Sequence, residues 1–194
     1  MIALRLLLPA LALPIASLLP AQVDTLALIE SIQQRMDRVD DQRGMGPAAI
    51  WAKLPGKPEP VKLAPDKDPG QVDLLYLFYK DPDGSISGVS TIRYLQPDST
   101  SDGSTHYFDP GGRTVAVRWE LSTPSSGCTK GHAIAAKEKY YAEDGGLLEE
   151  WDWLTDEFGN DLEPEKCKVV EPAGRSAFAK DRATLLGNAR IPQP

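Results

Sequence analysis

Two pairs of neighbouring carboxylates, Glu149–Glu150 and Asp156–Glu157, are the residues best suited to chemistry. Two acids facing a cleft, roughly 5–10 Å apart with one held protonated, can hydrolyse a glycosidic bond. The competing reading is that acids at turns and on outer strand faces are solvated. Asp81-Pro82-Asp83-Gly84, with Asp66, Asp68 and Asp73 upstream, offers the oxygen ligands that calcium takes. The D-x-D-x-D-G loop is not met, and no glutamate falls at the bidentate position, so turn capping is the stronger reading. The two histidines, His106 and His132, hold no metal-ligand spacing to the two cysteines. There is no G-x-S-x-G, H-E-x-x-H, phosphate loop or G-x-G-x-x-G. The sequence implies no catalytic residue, no cofactor and no metal site that the residue types can defend.

Aromatic side chains offer a different chemistry, stacking on sugars or seating in a partner protein. Trp119 shares a strand face with Val115 and Val117, and Trp151 shares one with Leu147 and Trp153, so these indoles read as core. Tyr107 and Tyr141 stand at strand ends beside turns and are the expected exposed aromatics. With Trp51 they form the candidate binding set.

Cys128 and Cys167 are an even pair in a chain that reads as exported, which points to one disulfide. Closing that loop stabilises the fold by roughly 4 kcal/mol in the chain-entropy picture. A catalytic thiol, the alternative, needs a neighbour that lowers its pKa. The export reading rests on residues 1–21, where Arg5 precedes an apolar run and small residues end near Ala21, the layout of a signal peptide. A retained transmembrane anchor is the alternative; Pro9 and Pro14 within the run, and a single flanking cation, weigh against it. The expected location is secreted or periplasmic. A net charge of −7 without a basic cluster argues against nucleic acid and anionic membranes as partners. No stable membrane span is expected after cleavage.

These residues must be positioned by elements, and the pattern is legible in order. Over 22–43, Leu26, Ile29, Ile32, Met36 and Val39 recur at helical spacing. Asp24 or Thr25 is the expected cap and Gly44 the expected stop. Residues 44–71 carry Pro47, Pro55, Pro58, Pro60, Pro65 and Pro69, which predicts a linker or extended segment rather than an inner strand. From 72 to 170 the period falls to two. Candidate strands are 72–79, 85–95, 104–109, 113–121, 132–141 and 147–155, with a last short strand carrying Cys167. The tail, 171–194, predicts a short helix around Phe178, Leu185 and Leu186. The fold class is α+β: an antiparallel meander of about seven strands, with the N-terminal amphipathic helix packed on the sheet.

The strands are punctuated by a recurring element: YKDPDG at 79–84, YFDPGG at 107–112 and YAEDGG at 141–146. Aspartate accepts from nearby backbone amides and glycine supplies positive φ, which is hairpin chemistry. The pattern Y-[FY]-x-[DE]-x-G before an apolar strand resembles the hairpin repeats of exported bacterial β-meander proteins and is distantly similar to MORN-type and YD-type repeats. The resemblance covers 79–162 and implies a meander with no particular activity. The expected function is a non-catalytic binding or structural module outside the cell, holding a protein or a glycan. The alternative is an extracellular hydrolase using paired carboxylates on a glycan or peptide polymer.

Overall fold

The computed structural model describes residues 19–64, 70–95, 100–124, 127–167 and 178–192. Most of the expected signal peptide, and the aspartates 66 and 68, lie outside them.

Helix α1 spans Leu19–Met45. It already covers residues 19–23, ahead of the expected start. Asp24 and Thr25 are therefore inside the helix rather than at its cap. The helix also outruns Gly44: Gly46, at φ +105°, donates to the Gln42 carbonyl at 2.9 Å and ends it. Ile32, Met36 and Val39 are buried as expected, whereas Leu26 is 68% exposed.

The chain then forms one antiparallel sheet of eight strands in the order β2-β1-β3-β4-β5-β6-β7-β8. The strands are β1 Ala49–Lys53, β2 Val61–Leu63, β3 Leu74–Lys80, β4 Ile86–Leu95, β5 Thr100–Phe108, β6 Thr114–Pro124, β7 His132–Tyr141 and β8 Leu147–Asp156. The proline-rich segment is thus corrected: it contributes β1, an inner strand, and β2, a short edge. Pro47, Pro55, Pro58 and Pro60 all fall outside the two strands, leaving their ladder donors intact. The expected strand at Cys167 is also corrected. That residue follows a 3₁₀ turn, Pro164–Lys166, whose prolyl start favours a helical turn.

The recurring aromatic-acid-glycine elements are all strand turns. Gly84 donates to the Asp81 carbonyl, Gly112 to Asp109 and Gly145 to Ala142, each at 2.9 Å and with φ between +84° and +86°. Register shifts follow at Tyr79/Lys80, Tyr107/Phe108 and Tyr140/Tyr141. This is the hairpin in which a turn ends in a left-handed glycine and a bulge.

Register places Tyr79, Gly88, Tyr107, Ala116 and Tyr140 in one row across β3–β7. Those residues, bar the glycine, form a core with Ile32, Met36 and Val39 of α1. Gly88 is where the helix comes closest: a Cβ there would meet Val39 Cγ1 at 2.8 Å. On the opposite face, Tyr76, Phe78, Val89 and Phe108 pack with Leu185 and Leu186 of helix α2, Arg182–Ala189. The tail helix includes Leu185 and Leu186 as expected but not Phe178, because Asp181 caps it, accepting from Thr184 N at 2.7 Å. No helix among the described residues is long and apolar enough to cross a membrane.

Candidate functional site

The α2 face continues beyond the helix over β5–β8, and there the sheet floors a groove of about 320 Å³. Two neighbouring cross-strand rows build it. One is Ser104–Trp119–Lys137–Asp152 and the next is Asp102–Leu121–Ala135–Leu154. Residues two apart on a strand share a face, so both rows point the same way. Pro164 of the 3₁₀ turn lines the groove as well.

Its chemistry is an indole beside ion pairs. Trp119 is half-buried, and its Nε1 is buried without a hydrogen-bond partner among the described residues. Lys137 Nζ lies 2.8 Å from Glu150 Oε1 and 3.2 Å from Asp152 Oδ1. Lys139 Nζ reaches Glu150 Oε2 at 2.7 Å. Hydrogen bonds from Lys137, then Lys139, hold the Glu150 carboxyl at about 2, well below the ordinary carboxylate range. Such a surface offers a flat ring and fixed charged donors and acceptors.

The carboxylate pairs read from the sequence do not converge. Glu149 and Glu150 are adjacent on β8 and so face opposite sides of the sheet. Asp156 caps its own turn, accepting from Phe158 N and Asn160 N, both at 2.9 Å, while Glu157 is exposed in that turn. Asp81 is paired with Arg35 at 2.9 Å, and Asp83 accepts from Ser85 N at 2.8 Å. Hydrogen bonding displaces Asp83, Asp156 and Asp181 downward, the direction of a stable carboxylate rather than a general acid.

The acids that do converge lie beneath α1. Arg118 bonds Asp40 at 2.7 Å and pairs with Glu138; Tyr107 donates to Asp40 at 3.2 Å and Tyr140 to Glu138 at 2.8 Å. Arg43 adds Glu120 at 3.1 Å. Burial opposes the charge on Arg118, but Tyr107, Glu138 and Asp40 outweigh it and hold the guanidinium above its ordinary pKa. Tyr140 is pushed up to about 12, by burial first and then by Glu138. Every member is satisfied by another, which makes this a clasp between helix and sheet.

The expected aromatic binding set is redistributed. Tyr107 is 0% exposed, because its row lies directly beneath α1. Tyr141 is half-buried, its ring 4.7 Å from that of Phe178. Trp51 is half-buried against the α2-side core. Trp151, expected in the core, is 52% exposed on edge strand β8. Sequence reasoning missed Lys137, Asp152 and Leu154 as partners of Trp119. Alternation places each on a face, but only register sets them side by side.

His106 is fully buried, its Nε2 accepting from Ala179 N at 3.3 Å. His132 Nδ1 lies 2.9 Å from Ser122 Oγ. The Cys128 and Cys167 sulfurs are at disulfide distance, with Cα atoms 5.1 Å apart. Comparison with protein-family models, with curated proteins and with solved structures found no match to the chain.

Proposed function

We propose that the chain is an exported, non-catalytic binding module that holds a glycan in the groove over β5–β8. The observation that carries the reading is the half-buried Trp119 indole set in one row with Lys137 and Asp152. A sugar presents an apolar ring face to an indole and hydroxyls to fixed charges. Export is supported by the early apolar run after Arg5 and by cysteines at disulfide distance. The likeness to exported β-meander proteins rests on the turns alone and adds no ligand. The hydrolase reading lacks support, since the acid pairs proposed for it are split between faces or engaged in capping.

Titration of the protein with soluble oligosaccharides of differing composition, read by calorimetry, tests the proposal. At least one is expected to bind, and Asp152→Asn is expected to weaken it while leaving thermal stability near that of the parent. Release of reducing ends from any glycan in the panel, lost when Glu150 or Asp156 is replaced, would revive the hydrolase.

A further inference from the structure

A second cavity, independent of the groove, lies between α1 and the tips of the β5–β6 and β7–β8 hairpins. It measures about 420 Å³, within the range of small-ligand sites. Leu28 and Ile32 of α1, Val115 of β6 and Tyr141 of β7 give it an apolar lining. Arg35, Arg38 and Arg113 stand around it. Both hairpin turns beside it are held by aspartates. Asp109 Oδ1 accepts from Arg113 N at 2.9 Å in one turn, and Asp144 Oδ1 accepts from Gly146 N at 2.8 Å in the other.

Charge distinguishes it from an ordinary gap under a helix. Arg113 is engaged by Asp109 at 2.7 Å and by Glu143 at 3.3 Å. Arg35 is engaged through one nitrogen by Asp81. Arg38 makes no ion pair or side-chain hydrogen bond within the described residues and leaves its whole donor fork unused. The lining thus combines apolar surface with an uncompensated guanidinium, the chemistry that complements an anion with an apolar body. A carboxylate matches the planar fork in two-point geometry.

We infer that this cleft binds a small amphipathic carboxylate, its chain on Leu28, Ile32, Val115 and Tyr141 and its head group on Arg38. Octanoate is the probe, with octanol as its uncharged counterpart, and binding is followed by NMR on the intact chain. Octanoate should shift the Leu28, Ile32 and Val115 methyl signals, and octanol should bind roughly tenfold more weakly or not at all. Arg38→Gln should weaken octanoate by a similar factor, and Arg38→Lys should recover part of it. Arg38 is exposed, so neither change threatens folding. Equal affinity for octanol, unaltered binding in Arg38→Gln, shifts located away from the cleft, or no shift at millimolar probe would each overturn the inference. None of these outcomes bears on the glycan groove.

Discussion

Strands β5 and β6 pass through two environments on the same face. At the hairpin-tip end, His106, Phe108 and Val117 lie buried beneath α2 and the residues leading into it. Two residues further along β6, Trp119 is half-buried over the groove, with Lys137 and Asp152 beside it. Strand geometry is shared, so the difference is set by what covers the sheet. Beneath α2, β5 and β6 supply His106, Phe108 and Val117, all apolar or neutral side chains. Over the groove, opposite charges sit across strands around one indole. A surface with that mixture costs little to leave wet and is suited to holding something.

The contrast can be broken most forcefully in the sealed half. Phe108→Ala removes a fully buried ring from the α2-side core and should cost about 4 kcal/mol, measured by urea unfolding. Opening the Cys128–Cys167 link by Cys128→Ser should cost roughly 4 kcal/mol without reductant, and adding reductant to the parent should reproduce it. Equal stability of the two proteins would mean that the link contributes nothing.

The sealed half also carries a pH signature. Burial lowers the His106 pKa from its ordinary 6.5 to about 4. The unfolded chain therefore takes up the proton first as pH falls. Stability from this site is complete above the unfolded value and is lost as pH drops from 6.5 toward 4. Acidification from neutrality to about pH 4.5 should cost about 2 kcal/mol through this residue alone. His106→Gln should flatten that part of the stability–pH curve, and an unchanged slope would show that the imidazole is not buried neutral. The smallest effect belongs outside both halves: Trp151→Ala, on the exposed edge, should shift stability by no more than about 0.5 kcal/mol. A loss of several times that size would place the indole in a contact.

Much of the fold is legible in the sequence because its signals are local. Ile32, Met36 and Val39 repeat at helical spacing, and Asp81, Asp109 and Asp144 precede glycines in turns. The first strand pair is less so, since Pro55, Pro58 and Pro60 mask two proline-free windows that become β1 and β2. Burial of Tyr107 is not legible at all. It follows from α1 crossing at Gly88, a contact between residues far apart in the chain. The groove is hidden for the same reason: Trp119, Lys137 and Asp152 meet only through the register of three strands.

The most direct measurement is NMR mapping of a bound oligosaccharide on the labelled chain. The account predicts perturbed amides confined to 102–104, 119–121, 135–137 and 152–154, with the Trp119 indole signal moving most. Perturbations centred on the helices or hairpin tips, with the Trp119 signal still, would contradict it.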